Sequence, residues 1–126
     1  MTEFFTDAHA WWQYVALLAV VVALVFSFRG PEMTPFAEKV YRLTAVAVAI
    51  QVALGIVVWL ANSGWSLGLM QGWIHPIAGL AALGVLNVFV GKARKADPSE
   101  ANRVVRTGLM IAVVLVVAAI VIGESF

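Results

Sequence analysis

Four stretches of this sequence, residues 10–28, 43–61, 73–91 and 107–123, contain no Asp, Glu, Lys or Arg. Crossing the hydrocarbon core of a bilayer takes about 20 predominantly apolar residues in a helix, with a lower bound of about 17. No water is available there to bond a main-chain N–H or C=O, so each run must satisfy its own backbone and is read as a helix. The chain is 63% hydrophobic and only 12% charged, and little of it remains outside these runs. The expected fold class is all-α: one domain, residues 1–126, forming an integral membrane four-helix bundle. The first run is read as a helix rather than a signal peptide, because Glu3 and Asp7 precede it in place of a basic segment and its apolar core is long. Cysteine is absent, which excludes disulfides, thiolate metal sites and covalent haem attachment through C-x-x-C-H.

Charge then orients the bundle. All eight basic residues fall in two connections: Arg29, Lys39 and Arg42 between helices 1 and 2, and Lys92, Arg94, Lys95, Arg103 and Arg106 between helices 3 and 4. The other extramembrane pieces carry none, and both tails are acidic through Glu3, Asp7 and Glu124. The positive-inside rule places the two basic connections in the cytoplasm and both termini outside. Trp11, Trp12, Trp59, Trp65 and Trp73 all belong to the opposite end, as half of an interfacial aromatic belt would. The connections are short and rich in turn residues: Gly30, Pro31 and Pro35 after helix 1, and "DPSEANR" after helix 3, with Ser99 as a candidate N-cap. Short connections favour antiparallel neighbours, giving an up-down-up-down topology. Ala45, Ala49 and Ala53 recur every fourth residue on helix 2 and predict a close-approach face. The expected location is a bacterial inner membrane, multi-pass, with both termini periplasmic.

The sequence has two histidines, and both are placed at the outer end. His75 precedes Pro76 in "GWIHPIAG", and a proline is tolerated in the first turn of a helix, where amides lack intrahelical acceptors. The pair therefore predicts the start of helix 3, where the helix dipole disfavours an imidazolium and leaves a neutral ring able to ligate a metal. His9 lies twenty residues before Arg29, about one bilayer thickness at 1.5 Å per residue. Two neutral imidazoles at similar depth on different helices are what a b-type haem with two axial histidines needs. Interfacial histidines hydrated at the headgroups are the plain alternative. Gly72, Gly79 and Gly84 would give a macrocycle room. Met70 offers a thioether for a His/Met pair, or simply apolar filling. Zinc is disfavoured, since it takes three or four N, O or S ligands.

Polar side chains inside the spans must also be accounted for. Gln51 is central in helix 2, where an unpartnered amide costs several kcal/mol, so it is expected to face the bundle and to bond another helix, a haem propionate or a quinone head group. Gln13 stands one turn inside His9 and is a candidate to hold the free ring nitrogen. Asn87, twelve residues after His75, is placed on a broadly similar face. Helix 4, "GLMIAVVLVVAAIVIG", reads as packing or lipid contact.

The motifs together resemble the small four-helix bacterial membrane proteins described as cytochrome b-like. "HAWWQYVALL" opens helix 1, "QVALG" (Gln51 to Gly55) lies in helix 2, His75–Pro76 opens helix 3 and "GKARK" closes it. The order runs through nearly the whole chain, although each motif is short. The resemblance implies haem ligation at the positions of His9 and His75. The family often carries a second histidine near the inner end of helix 3, where this chain has Asn87, which implies a single haem at the outer side.

Two functions of different class follow. The first is electron transfer by one b-type haem, alone or as the haem-bearing membrane subunit of a redox complex. His9 and His75 would be the metal ligands, with Gln13, Gln51 and Gly79 completing the cofactor site and quinone a possible partner beside the lipid bilayer. The second is a cofactor-free accessory subunit of a respiratory or photosynthetic assembly. An electron carrier or subunit is expected rather than a stand-alone enzyme: no Ser/His/Asp set, carboxylate pair or phosphate-cradling loop is present. No span carries the charge a transporter would use, and no nucleic-acid partner is expected.

Overall fold

A computed structural model describes residues 2–125, with side chains over residues 3–123. Glu124, named above for the acidic C-terminal tail, falls outside the described side chains. Four helices carry the chain: α1 (Thr2–Ser27), α2 (Pro35–Ala61), α3 (His75–Lys95) and α4 (Ala101–Ser125). Each is long and apolar enough to cross a membrane, as a multi-pass membrane protein requires.

The helices run further than the uncharged stretches from which they were predicted. Helix α1 starts at Thr2, α2 at Pro35 and α4 at Ala101. Charged residues end an apolar count without ending a helix, so Glu3, Asp7, Lys39, Arg42, Arg103 and Arg106 simply extend the rods past the apolar window. Local chemistry sets the true starts and stops. Thr34 caps α2, its side chain accepting from the Ala37 amide at 3.1 Å, with Pro35 at the first helical position. Helix α3 ends before Asp97, and a turn closed by the Glu100 amide on the Asp97 carbonyl at 2.8 Å precedes α4.

Buried positions trace one stripe per helix at steps of three and four. On α1 it runs through Ala16, Val20, Ala23 and Ser27; on α2 through Ala37, Tyr41, Thr44 and Val48; on α3 through Ala82, Leu86, Val90 and Ala93; on α4 through Val105, Leu109, Ala112 and Val116. This is the spacing of a coiled-coil seam. The opposite faces are as apolar as the core: Leu18, Val25 and Val114 are all more than half exposed. Ala45, Ala49 and Ala53 do not form the predicted close-approach face. Ala45 and Ala49 are half-buried and Ala53 is exposed. A row of steps of four advances about 40° per step at 3.6 residues per turn, so it spirals off an interior seam that mixes steps of four with steps of three. Close approach is achieved elsewhere, where Gly108 on α4 takes the ring of Phe89 on α3 against its backbone.

Polar bonds pin the end of the bundle that carries the basic residues. Tyr41 and Asn102 are buried, and the Tyr41 hydroxyl donates to Asn102 Oδ1 at 2.7 Å. Asn102 Nδ2 donates to the carbonyls of Gly30 at 2.7 Å and Glu32 at 2.9 Å. One asparagine thus ties α4, α2 and the first connection together. Arg106 Nη2 donates to the Ser27 carbonyl at 2.6 Å, with its guanidinium over the Phe28 ring at 4.3 Å. Asn102→Ala removes three hydrogen bonds and strands a buried hydroxyl, so it should destabilise the protein by about 2–4 kcal/mol, read as a lowered thermal midpoint in detergent. An unchanged midpoint would show that the network contributes nothing net.

Candidate functional site

At the other end, the early turns of α1 and the π-helical turn before α3 meet the late turns of α2 and α4. The histidines converge here: the rings of His9 and His75 have centroids 6.1 Å apart and planes inclined at 76°. Depth along the chain brought them to one end, and helix rotation brought them together.

Each ring lies against a glycine of the next helix in sequence. A Cβ added at Gly55 on α2 would stand 2.8 Å from Cε1 of His9, 3.4 Å from Nδ1 and 3.5 Å from Nε2. A Cβ added at Gly123 on α4 would stand 2.9 Å from Cε1 of His75, 3.3 Å from Nδ1 and 3.5 Å from Nε2. The two seats are nearly superposable descriptions of one another. The likeness extends one turn back along each supporting helix. His75 Nδ1 lies 2.7 Å from the Ala119 carbonyl, four residues before Gly123. The Gln51 carbonyl, four residues before Gly55, faces the His9 ring. A carbonyl can only accept, so His75 Nδ1 carries the proton and, in the neutral ring, Nε2 carries the lone pair.

The π-helical turn, Met70–Ile74, leads straight into α3. The α-helix starts at the His-Pro pair as expected, with the π-helical turn adding about one turn of helical backbone before it. Pro76 cannot donate to the Gly72 carbonyl four residues back, and Trp59 Nε1 takes that acceptor at 2.7 Å. The Ala119 carbonyl thus fixes which nitrogen of His75 bears the proton in that contact. Gln71, on the π turn, donates from Nε2 to the carbonyls of Ile122 at 2.9 Å and Gly123 at 3.2 Å. It caps the end of α4 and steadies the seat of His75.

A cavity of about 550 Å³ lies beside the two rings, with all four helices contributing to its wall, within the size range of cofactor pockets. Gln13, Gln51 and Gly79, each predicted as a site residue, line it. Gln51 Oε1 and His9 Nδ1 are both buried there and, among the described residues, have no hydrogen-bond partner. Other expectations shift. A Cβ at Gly79 would meet nothing closer than Val52 Cγ2 at 3.8 Å, and one at Gly84 nothing within 4 Å. Gly72 is packed against the Gly64 carbonyl in the connection. The glycines that make room are Gly55 and Gly123. Met70 is exposed and lies outside the cavity wall. Asn87 is exposed and donates to its own helix, to the Leu83 carbonyl at 2.9 Å. Twelve residues leave a third of a turn, about 120°, between it and His75, which turns it away from the site.

Helix 4 is therefore more than packing: Val116, Ala119 and Gly123 all line the cavity. The signal that could have found them is a repeated spacing. "QVALG" in helix 2 and "AIVIG" in helix 4 each end on a glycine four residues after the facing carbonyl. Among the described residues no group of three His, Cys, Asp or Glu side chains could hold a metal ion, so two imidazoles are what the site offers. No family model matches the chain, and neither does any curated protein or solved structure.

Proposed function

We propose that this is a b-type haem protein of the bacterial inner membrane that transfers electrons, alone or as the haem-bearing subunit of a redox complex. The observation that carries the reading is the convergence of His9 and His75, from different helices, beside a cofactor-sized cavity. Two imidazoles sharing one metal would have ring centroids about 6 Å apart, given metal–nitrogen bonds of about 2 Å. The 6.1 Å between these rings fits that span. The Ala119 carbonyl supplies His75 with the kind of outer partner that metal-bound histidines keep. A bare metal ion would fit two rings at this spacing but would leave the void beside them without purpose.

When bound, the haem supplies one-electron exchange at its iron. The chain's own residues do the rest. His9 and His75 hold the metal, Gly55 and Gly123 let the rings reach their positions, and the apolar wall excludes water. Gln51 presents an unpaired amide oxygen, an acceptor for a donor at the ligand's edge. The bundle runs up-down-up-down with both termini on the periplasmic side. Support for that orientation comes from basic residues gathered at one end and tryptophans at the other. The haem then lies near the outer leaflet, within reach of a quinol or a protein bound outside.

The experiment is an absorbance spectrum of the purified protein, dithionite-reduced minus oxidised. A Soret band with a sharp α band in the reduced form is expected. A colourless protein, purified without stripping, would sink the haem reading in favour of an accessory subunit.

A further inference from the structure

At the outer end of the cavity the connection between α2 and α3 folds over and is tied down on both sides. Trp59 Nε1 donates to the Gly72 carbonyl at 2.7 Å, and Gln71 Nε2 donates to the Ile122 and Gly123 carbonyls at 2.9 and 3.2 Å. Gly64 and Gly72 are buried against each other beneath it. Further in, α2 and α3 meet again, where Val52 Cγ2 would stand 3.8 Å from a Cβ placed at Gly79. Val52, Ile56 and Trp59 follow at steps of four and three, so all three share the side of α2 that faces α3. Between the two contacts, seven residues or about 10 Å along α2, the wall does not close. Ile56 lines the cavity and is 43% exposed; Leu80, beside Gly79 on α3, lines it and is 49% exposed. A residue that borders both a cavity and the exterior stands at an opening. The gap between α1 and α4 differs: Thr6 and Ala10 are exposed on α1, but no residue that α4 gives to the wall is. Ile56 and Leu80 both lie within apolar spans, so the medium outside the opening is hydrocarbon.

We infer that the site takes its ligand sideways from the bilayer, through the opening between α2 and α3, and so selects a lipid-dissolved, largely apolar molecule over an ion from water. Only the identity of that ligand rests on the haem reading above. The opening itself stands on Ile56, Leu80 and the two contacts that frame them. The chemistry of the wall agrees with the route. It includes no Asp, Glu, Lys or Arg, so nothing in it would draw an ion or offset the cost of stripping one of water. Gln51 brings an amide oxygen, buried and unpaired, which offers an uncharged acceptor to an entering hydroxyl or protonated carboxyl.

The test is photolabelling of the haem-free full chain in phosphatidylcholine vesicles, with labelled residues located by mass spectrometry. One arm uses a diazirine-bearing hydrocarbon dissolved in the bilayer, the other a water-soluble diazirine. The hydrocarbon should label Val116 and Ala119, which line the cavity on α4, and the water-soluble probe should not. Ile56→Trp combined with Leu80→Trp fills the opening from positions that face lipid, leaving the core untouched. Labelling of Val116 and Ala119 should then be lost, while Val114 and Val117, exposed on the outer face of α4, stay labelled and report that the variant is folded and inserted. Haemin supplied in the vesicles should load this variant about tenfold more slowly to the same final Soret absorbance, because entry must wait for a rarer open state. Should the double variant fail to insert, Leu80→Trp alone should give a partial loss of both labelling and rate. Absence of cavity labelling from the bilayer, equal labelling from water, or labelling that persists in the tryptophan variants would overturn the inference. A chain that shows the lateral labelling but takes up no haemin would overturn the haem reading and leave the opening standing.

Discussion

His75→Ala is expected to purify with less than about one-tenth of the wild-type haem, since loss of even an outer partner of a metal-bound histidine weakens binding by 10–100-fold. The α band should go with it. The bundle itself should survive. The Ala119 carbonyl that His75 engages belongs to the interior of α4 and retains its own helical bond, so the substitution strands no main-chain acceptor. The Gln71 bonds to Ile122 and Gly123 and the Trp59 bond to Gly72 are likewise untouched. Helix content by circular dichroism should therefore match wild type while the Soret absorbance disappears. A variant with full haem content would remove His75 from the ligand set, and the reading built on its convergence with His9 would go with it.

The second large effect is expected at Gly123, a residue with no side chain to ligate anything. Gly123→Val puts a branched side chain where even a single Cβ would stand 2.9 Å from Cε1 of His75. Something must move. The ring is the least constrained object nearby, since the backbone of α4 is tied to Gln71. Overpacking of this kind costs about 1–3 kcal/mol in stability, a modest fall in thermal midpoint. The larger consequence is for the ring. Displaced, it leaves the Ala119 carbonyl and loses its aim, and haem retention should drop by about tenfold, the low end of what outer-partner loss does to metal sites. Gly79→Ala is the control. Gly79 also lines the cavity, but its added Cβ would meet only Val52 Cγ2 at 3.8 Å, an ordinary contact, and haem content should stay at the wild-type level. Equal losses in both variants would mean that cavity volume, not the seat of the ring, governs binding.

These substitutions separate what could be read along the chain from what could not. Axial position is a one-dimensional property. Each helical residue advances about 1.5 Å, so counting from Arg29 to His9 and from Lys92 to His75 places both imidazoles at the same end. The absence of charge over four stretches of sufficient length predicts four helices whatever their arrangement, because a lipid-facing backbone has no other way to satisfy itself. That Gln51 faces inward follows from the same cost, and it does line the cavity.

Rotation about each helix axis is not legible in this way. In a soluble helix the polar face marks the outside, but here Leu18 and Val114 on the exterior are as apolar as Val20 and Leu109 in the core, so hydropathy carries no azimuth. For that reason the Ala45, Ala49 and Ala53 row does not mark a seam inside this bundle, and Asn87 does not share a face with His75. Helix 4 reads as packing or lipid contact because its contribution is a carbonyl, at Ala119, and a missing side chain, at Gly123. Neither leaves a mark in composition. The sequence by itself determined how many helices there are, the least length each must have and at which end of the bundle the histidines lie. Packing alone decided that the two rings meet at 6.1 Å and that each rests on a glycine of the next helix, because contacts between helices depend on an angle that an apolar sequence does not encode.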